Sequence, residues 1–376
     1  MVSLHVDTAR TWRGGQNQVL LTVRGLRARG HEATIIAHPD GELRRRLRET
    51  DDLIPLTPRT EMDVLAGWKL ARLLQERQPE ILHAHDAHAV AVAALAMSFA
   101  RKSIPTRVVA SRRVIFQLGQ NIFSRWKYRR VDRFICASSF IRTALANEGI
   151  SPKRLDVVYE GVDLVNLDTA PRVNLHETFS FPEGAPIVGN VGALDPDKGQ
   201  RYLIKAAQLV IQKIPDAQFL IVGQGVLEET LRRQIKSLNL EKQVLLTGFR
   251  SDVLSLQKGF DVFVMSSLSE GLGTSVIDAM ACGRPVVSTN VGGLPELVAQ
   301  GKTGQLVSPH DPQSLAEAIL RILQDKTLQV RYGHAASRRA RQLFSAERMV
   351  DETVEVYHRM AGTLPVTDNP GPAVAG

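Results

Sequence analysis

Residues Ser266–Val287 read SSLSEGLGTSVIDAMACGRPVV and follow an apolar run of strand length, Asp261–Met265. The run predicts a buried strand, and Gly271 and Gly273 predict a loop that leads into a helix beginning at about Thr274. A helix N-terminus offers unpaired N–H groups and a partial positive charge, so a diphosphate fits there, and glycine lets the backbone approach it closely. The stretch therefore predicts a strand–loop–helix unit of an α/β fold that binds a phosphorylated ligand.

The same stretch carries polar side chains that suit a nucleotide sugar. The Glu270 carboxylate can accept hydrogen bonds from sugar hydroxyls, and Asp278, about one turn into the helix, could reach a ribose. Thr274 and Ser275 add hydroxyl donors. The alternative is that both acids are ordinary carboxylates near a helix start, where they complement the helix dipole. On the first interpretation, one loop grips the ligand at three points.

Strand-length apolar runs alternate with helix-period segments along most of the chain, which is typical of parallel α/β sheets. The predicted strands of the first half are 3–6, 33–37, 81–85, 108–111, 134–137 and 156–159. Those of the second half are 187–191, 218–222, 244–246, 262–265, 286–288 and 304–307. Val19, Leu20, Val23 and Leu26 predict one face of a first helix, with Gly14-Gly15 in the loop before it and Gly30 in a left-handed cap after it. Residues 161–184 lose this periodicity and predict a linker. Since 376 residues exceed what one core usually organises, we expect two doubly wound domains with a ligand between them.

Composition favours a soluble cytoplasmic protein. Hydrophobic residues make up 44% of the chain and charged residues 23%, as in ordinary globular proteins. The N-terminus does not resemble a typical signal peptide, and the apolar run 87–100 is shorter than the roughly 20 residues that span a bilayer. Cys136 and Cys282 lie in apolar stretches without a CxxC partner or a histidine pair, so neither disulfides nor a zinc site is expected.

The net charge of +8 is concentrated in the first half, most densely in residues 101–133. The basic residues there alternate with aromatic and aliphatic ones; they include Arg112, Arg113, Arg125, Lys127, Arg129 and Arg130. This mixture suits peripheral contact with an anionic membrane, such as the inner face of the cytoplasmic membrane, or with an anionic glycolipid. The alternative is a solvated basic face over a buried apolar stripe. No motif supports binding of nucleic acid.

Together these motifs resemble the retaining glycosyltransferases of family 4. Ser266–Val287 is similar to the family signature, in which two acids separated by seven residues precede Ala-Met-Ala-x-Gly-x-Pro-Val. Further matching motifs cover nearly the whole chain: Gly14-Gly15, His83–Asp86, Ala137–Phe140, Val158–Asp163, Lys198-Gly199, Gly223–Gly225, Thr247–Phe249 and Val291–Glu296. The resemblance implies the GT-B fold, in which two Rossmann-like, doubly wound parallel-sheet domains face an interdomain cleft.

The resemblance also implies a division of labour along the chain. Residues 1–165 are expected to form the acceptor-binding domain and residues 166–345 the nucleotide-sugar-binding domain. Residues 346–361 are expected to form a helix that crosses back to the N-terminal lobe, and residues 362–376 a disordered tail. No cofactor and no metal is expected, because the family's chemistry uses a nucleotide sugar as co-substrate without a divalent ion.

Carried over position by position, the resemblance implies catalytic roles for Glu270, His85 and Lys198. The implied donor-binding residues are Gly15, Lys198, Gly223, Phe249, Glu270, Gly271, Leu272, Gly273, Thr274, Ser275 and Asp278. The candidate acceptor-binding residues are Gly14, Arg112 and Arg113, although the two arginines are equally consistent with a structural role. His83 shares a strand face with His85, so the histidine assignment is open between them.

Two positions depart from the family pattern. Asp278 stands where a glutamate is usual, and Ala193 stands where an arginine is often found. The implied activity is retaining, metal-independent transfer of a hexose or N-acetylhexosamine to a glycan or glycolipid of the lipopolysaccharide or capsule type. A catalytically inert GT-B partner subunit and a nucleotide-sugar epimerase on the same fold remain alternatives.

Overall fold

The computed structural model describes residues 1–47, 53–101, 104–114, 119 and 121–362. The chain divides into two compact units. Within the described residues, the first contains 1–161 and 346–362, and the second contains 162–345. The first division lies a few residues before the predicted one at 165, and the return at Ala346 lies where the crossing helix is expected. Apart from Gly362, the predicted disordered tail lies outside the described residues.

A parallel sheet forms the centre of the first unit. Its strands are β1 (Val2–Asp7), β2 (Glu32–Ala37), β3 (Leu53–Pro55), β4 (Ile81–Ala84), β5 (Arg107–Arg112), β6 (Arg133–Cys136) and β7 (Leu155–Val157), in the order β3-β2-β1-β4-β5-β6-β7. The helices are α1 (Gly14–Ala28), α2 (Glu42–Arg45), α3 (Val64–Arg77), α4 (Ala87–Phe99), α5 (Ile122–Arg129), α6 (Ser139–Asn147) and, from the end of the chain, α16 (Ala346–Met360). A 3₁₀ turn spans Pro152–Arg154.

The second unit repeats this plan. Its strands are β8 (Ile187–Val191), β9 (Gln218–Val222), β10 (Val244–Leu246), β11 (Val262–Met265), β12 (Val286–Thr289) and β13 (Gly304–Val307), in the order β10-β9-β8-β11-β12-β13. Its helices are α7 (Leu164–Thr169), α8 (Leu175–Phe179), α9 (Gln200–Ile211), α10 (Glu228–Ser237), α11 (Val253–Gln257), α12 (Thr274–Ala281), α13 (Leu294–Leu297), α14 (Pro312–Gln324) and α15 (Lys326–Leu343), with a 3₁₀ turn at Pro196–Lys198. Both sheets are doubly wound, so the predicted fold class is confirmed.

Helix α1 shows why these segments fold as the sequence predicts. Val19, Leu20, Val23 and Leu26 are buried on one face, and each buried side chain of this size contributes about 1.5–3 kcal/mol. Gly30 follows the helix with φ of +79°, which confirms the predicted left-handed cap. None of the helices among the described residues is both long and apolar enough to cross a bilayer.

Two local predictions are wrong, and one strand was missed. Strand β3 was not predicted, because a three-residue edge strand that ends in Pro55 has too little pattern to detect. Gly14 and Gly15 were expected in a loop, yet they are the first residues of α1. The predicted linker at 161–184 instead holds α7 and α8, whose N-termini are capped by the side chains of Asp163 and Asn174.

Helix α16 is tied to the first unit by a buried ion-pair cluster. Arg359 Nη2 lies 3.0 Å from Asp156 Oδ1, and Arg133 Nη1 lies 3.2 Å from Asp156 Oδ2. The Asp156 carboxylate is thus shared between a strand and the end of the chain. Removing either arginine would leave part of this charge buried and unpaired, which is strongly destabilising. The last helix is therefore an integral part of the first unit.

Candidate active site

The second unit places its candidate site where strand order reverses. Strands β8 and β11 are neighbours in the sheet, but the chain continues from β8 to β9 on one side and from β11 to β12 on the other. Ligands of doubly wound sheets bind at such a switch point. Here the turn after β8 and the loop after β11 are joined directly: Leu268 N donates to Asp197 O at 2.7 Å, and Ser266 Oγ donates to Lys198 O at 3.1 Å.

This junction brings two predicted catalytic residues together. Lys198 Nζ lies 2.5 Å from Glu270 Oε2, and the two side chains are 25% and 12% exposed. Ser267 Oγ donates to the same carboxylate oxygen at 3.2 Å. Since an ammonium has three donors, Lys198 can keep this pair and still bind an anion. The loop therefore holds the Glu270 carboxylate in a fixed position beside the partly exposed ammonium group of Lys198.

Glycines allow this close packing of loops. Gly199 has φ of +63°, and a Cβ there would lie 2.1 Å from Ser266 O. Gly292 has φ of +57°, and a Cβ there would lie 1.8 Å from Glu270 O, while Gly293 N donates to that same oxygen at 3.1 Å. Neither Gly292 nor Gly293 was among the predicted site residues. The double glycine after β12 was the available signal, because it permits close approach of two backbones.

The helix that follows the loop begins where the sequence predicts. Gly273 precedes α12 with φ of +102°. The amides of Val276 and Ile277 donate to Gly273 O, whereas the amides of Thr274 and Ser275 have no partner among the residues that the structure describes. Two N–H groups and the positive end of the helix dipole are therefore available to an anion. Leu272 is 1% exposed, so its side chain is not available to a ligand.

Asp278 lies on the same helix and is partly buried. Burial raises the pKa of its carboxyl to about 7, because desolvation disfavours the charged form. In the described part of the chain, no side chain or amide donates a hydrogen bond to this carboxylate. A ligand hydroxyl that donated to it would satisfy a polar group that the protein leaves unsatisfied.

Gly223 and Phe249 lie further along the same sheet edge. Gly223 has φ of +146°, and a Cβ there would lie 1.9 Å from Gly192 O. Its N–H donates to Gly248 O at 2.9 Å, and the neighbouring Phe249 is 47% exposed. The structure thus places an exposed aromatic ring and a close-packed glycine after neighbouring strands β9 and β10. Their predicted role in donor binding stays a prediction.

The first unit has a different arrangement at the corresponding switch point, between β1 and β4. Three buried histidines lie there, His5 on β1 and His83 and His85 at the end of β4. Their hydrogen bonds join His5 Nδ1 to His85 Nε2 at 3.0 Å, His83 Nδ1 to Tyr357 Oη at 2.6 Å and His83 Nε2 to Ser111 Oγ at 2.8 Å. His5 was not predicted, because only the pairing of β1 with β4 brings it to the other two.

Burial keeps these imidazoles neutral. It lowers the pKa of His5 to about 3 and the pKa values of His83 and His85 well below the ordinary value, and the nearby Arg113 guanidinium lowers them further. The cluster is therefore uncharged at neutral pH. Nitrogen atoms of the three rings lie within 4.8 Å of one another, a spacing that could hold a metal ion. Each ring nitrogen already has a protein partner, however, so the arrangement favours a hydrogen-bond network.

Arg113 fixes the direction of that network. Its Nη2 lies 3.3 Å from His85 Nδ1, and an arginine can only donate. His85 Nδ1 must therefore accept, so the Nε2–H of His85 donates to His5 Nδ1 and the Nε2–H of His5 donates to Ser3 Oγ at 3.0 Å. Both ring nitrogens of His85 are thereby occupied. For its side chain to bind a sugar, as predicted, one of these partners must be exchanged.

The two arginines predicted to bind the acceptor have different surroundings. Arg113 forms an ion pair with Glu160 at 2.8 Å, and the start of α1 lies against it, with a Cβ at Gly15 placed 3.6 Å from Arg113 Cδ. Arg112 is buried on strand β5 beside Tyr128, and its burial lowers its pKa. Gly14 is exposed next to Gly15. Arg113 and the two glycines therefore lie together, and the position of Arg112 gives no support to a role in acceptor binding.

Two further acids complete this edge of the first unit. Asp86 accepts from Thr8 N at 2.6 Å and from Thr8 Oγ1 at 2.9 Å, and it caps α4. Burial and the neighbouring Asp86 raise the pKa of Asp7 to about 6, against the opposing effect of a hydrogen bond from Gln16. These residues hold the β1 and β4 loops together. The predicted motif His83–Asp86 thus makes hydrogen bonds within the first unit, and its predicted role in the reaction stays a prediction.

Family models account for almost the whole chain. The model described as Glycosyltransferase Family 4 matches residues 12–166, and the model described as Glycosyl transferases group 1 matches residues 172–339. The chain belongs to glycosyltransferase family 4. It is a glycosyltransferase enzyme, and its fold class is GT-B.

Similar proteins are known in bacteria. The Escherichia coli UDP-Gal:alpha-D-GlcNAc-diphosphoundecaprenol alpha-1,3-galactosyltransferase is 27% identical to this glycosyltransferase over 304 residues, which cover 77% of each chain. The Bacillus anthracis N-acetyl-alpha-D-glucosaminyl L-malate synthase is 26% identical over 305 residues, 79% of each chain. Among solved structures, Anabaena HepE in complex with UDP and glucose has a TM-score of 0.83 at 23% identity, covering 97% of this chain and 100% of that one. This last likeness concerns the fold.

Proposed function

We propose that this glycosyltransferase moves a hexose or N-acetylhexosamine from a nucleoside-diphosphate sugar to a cell-surface glycan or glycolipid acceptor, with retention of configuration and without a metal ion. One observation carries the proposal: the amides of Thr274 and Ser275, for which the described residues offer no partner, follow directly on the loop that holds the Lys198–Glu270 pair. A diphosphate at these amides leaves its sugar next to a carboxylate that can accept from hydroxyls.

The same residues provide the charge balance that the reaction needs. When the bond between the anomeric carbon and the phosphate oxygen breaks, negative charge develops on the departing diphosphate. Lys198 and the N-terminus of α12 offset this charge where it forms, a task that other enzymes give to a divalent ion. In a same-face reaction, the departing phosphate oxygen takes the proton of the acceptor hydroxyl as the new glycosidic bond forms.

Asp278 and the acceptor complete the proposal. The unpartnered Asp278 carboxylate accepts from the ribose hydroxyls, in the role of the family's usual glutamate. The name of the E. coli relative specifies UDP-Gal and a diphosphoundecaprenol-linked sugar, which supports a lipid-linked acceptor. A peripheral position at an anionic membrane belongs to the same proposal.

A donor panel tests the proposal. The purified protein is incubated in EDTA with UDP-, GDP- and ADP-sugars, with and without a detergent-solubilised glycolipid extract, and release of nucleoside diphosphate is followed. Release from one donor that the extract stimulates is the expected result. Donor binding without release under any condition favours an inert partner subunit, and acceptor-independent change of the sugar favours an epimerase. Release that appears only when a divalent ion replaces EDTA contradicts metal independence.

A further inference from the structure

Large exposed hydrophobic side chains are concentrated on one side of the first unit. At the entrance to α3, Met62, Val64, Leu65 and Trp68 are 60%, 58%, 55% and 52% exposed. Val64, Leu65 and Trp68 fall on one face of the helix because they are three and four residues apart. Single exposed hydrophobic residues are common, but a cluster of four marks an interaction surface.

Helix α5 carries a second exposed group with a different character. Ile122 is 89% exposed, and the rings of Phe123 and Trp126 stack at 5.5 Å. The Arg130 guanidinium lies 5.1 Å from the centre of the Trp126 ring, and Arg125, Arg129 and Arg130 are exposed. This helix therefore combines aromatic rings with three solvent-facing cations.

A buried lysine holds the two groups on the same side. Lys127, on α5, is only 4% exposed and lies 2.9 Å from Glu61 Oε2, immediately before Met62. His88, on α4, lies 3.7 Å from the other oxygen of Glu61. The expectation that Lys127 belongs to an exposed basic surface is therefore wrong. The lysine instead fixes α5 against the segment that leads into α3.

Exposed residues around the start of α3 and on or just after α5 form a surface that we call the α3–α5 face. It consists of Met62, Val64, Leu65, Trp68, Lys69, Ile122, Arg125, Arg129 and Arg130. Further along α3, the exposed Arg72 forms an ion pair with Glu76 at 2.8 Å. Apolar side chains flanked by exposed lysine and arginine, with tryptophan among them, are the composition of elements that lie in a membrane interface. In contrast, the exposed hydrophobics of the second unit, such as Val226 and Val330, are isolated in sequence.

We propose that the α3–α5 face docks the enzyme on an anionic lipid bilayer. Met62, Leu65, Trp68 and Ile122 enter the interfacial region, and the arginines of α5 contact lipid phosphates. The charge of this face is complementary to anionic headgroups, which favours a bilayer over another protein as its occupant. The inference deepens the proposed function, on which it rests, because a lipid-linked acceptor is available only at a membrane.

The proposal separates an apolar and an electrostatic contribution, and each has a variant. Leu65→Ser with Trp68→Ser removes side chains that are already exposed, so the fold should be retained. Arg125→Glu with Arg129→Glu reverses the charge of α5. The matched controls lie in the second unit: Val226→Ser, at a position 80% exposed, and Arg233→Glu, at an exposed arginine of α10. Circular dichroism checks that all four proteins are folded.

Flotation with vesicles tests binding. The vesicles contain either phosphatidylcholine alone or phosphatidylcholine with about one third phosphatidylglycerol. We expect the wild type and both controls to float with the anionic vesicles, and each α3–α5 variant to bind at least about tenfold more weakly. Brominated lipids should quench tryptophan fluorescence in the wild type, and Trp68→Phe should remove most of that quenching. Equal flotation of all proteins overturns the proposal.

Two outcomes separate this inference from the proposed function. If the variants keep acceptor-stimulated release with a detergent-solubilised extract but lose vesicle binding, both proposals stand. If no protein binds vesicles while release is normal, the docking surface is refuted and the function is not. If the wild type binds vesicles but releases no nucleoside diphosphate from any donor, the function fails instead. Self-association of the wild type that the α3–α5 variants abolish, without vesicle binding, would identify a second copy as the occupant and contradict the proposal.

Discussion

Both units contain a doubly wound parallel sheet, but the residues at the switch points of the two sheets make different kinds of contact. In the second unit, glycine backbones pack closely around Glu270, which pairs with Lys198, and the amides of Thr274 and Ser275 have no partner in the described part of the chain. In the first unit, side chains close the edge: three neutral histidines, Tyr357 and the Arg113–Glu160 pair satisfy one another. The same kind of sheet edge can therefore either leave polar groups available to a ligand or use them in hydrogen bonds within the unit.

The sharpest test of this difference is Lys198→Ala. If the lysine offsets charge on the departing diphosphate, its loss should lower kcat by about 10²–10³-fold, as for other preorganised charge-stabilising groups. Lys205→Ala, at an exposed lysine of α9, is the matched control and should retain normal turnover. Steady-state release of nucleoside diphosphate measures both. Near-normal turnover of the Lys198 variant would refute this role.

A second prediction concerns the backbone packing of the second unit. Gly292→Ala places a Cβ 1.8 Å from Glu270 O, and because this oxygen belongs to the backbone, the loop must move. We expect a loss of about 3 kcal/mol or more in the free energy of unfolding. Gly301→Ala is the control: Gly301 has a similar φ, +71°, but open space around it, so only the conformational cost of about 1 kcal/mol applies. Equal losses in urea unfolding would show that the close contact does not matter.

A third prediction concerns the side-chain network of the first unit. Tyr357→Phe removes the hydroxyl that pairs with His83 Nδ1 and leaves a buried ring nitrogen unsatisfied. The expected loss is about 1–3 kcal/mol of unfolding free energy. Tyr202→Phe, whose hydroxyl makes only exposed contacts with Arg201 and His310, should change the stability by less than about 0.5 kcal/mol. Unchanged urea midpoints for both variants would argue against the network.

The smallest expected effect concerns Asp278, where a substitution should increase the stability of the protein and weaken donor binding. Its pKa of about 7 in the folded protein lies above the ordinary aspartate value, so the folded state binds the extra proton and the stability rises as pH falls through 7. Asp278→Asn removes the dehydrated charge and should stabilise the ligand-free protein by about 1–2 kcal/mol at pH values above 7. The gain should shrink near pH 5, where the wild-type acid is already protonated.

The same variant should raise KM for the donor, since a carboxamide is a weaker acceptor for ribose hydroxyls. Melting temperatures at the two pH values measure the stabilisation, and Asp216→Asn, at an exposed aspartate, is the control. A gain that is independent of pH would contradict the assigned protonation, and an unchanged KM would contradict contact with the ribose.

The sequence was sufficient to predict the elements that have strong local patterns. All six strands of the second unit and the start of α12 follow the prediction, because apolar runs and glycines are properties of neighbouring residues. His5 escaped prediction because it meets His85 only through the register of β1 and β4. Lys127 was misplaced because its charge predicts exposure, whereas its partner Glu61 lies 66 positions away in the chain.

The roles of the glycines at the two switch points also depend on contacts with distant segments. Gly14 and Gly15 looked like a loop because glycine is a poor helix former, yet they begin α1 against Arg113. Gly292 and Gly293 were not assigned to the site because the requirement for glycine at these positions comes from the backbone of a different loop, which packs against them. Local pattern predicts elements, and contacts between distant segments decide which of their residues form the site.

The central claim is that the diphosphate binds at the start of α12 beside Lys198. A crystal structure of the enzyme grown in EDTA, with the nucleoside diphosphate that the donor panel identifies, tests it most directly. We expect phosphate oxygens within hydrogen-bond distance of the Thr274 and Ser275 amides and of Lys198 Nζ, with the ribose at Asp278. A diphosphate bound elsewhere, with both amides still unpaired, would contradict it.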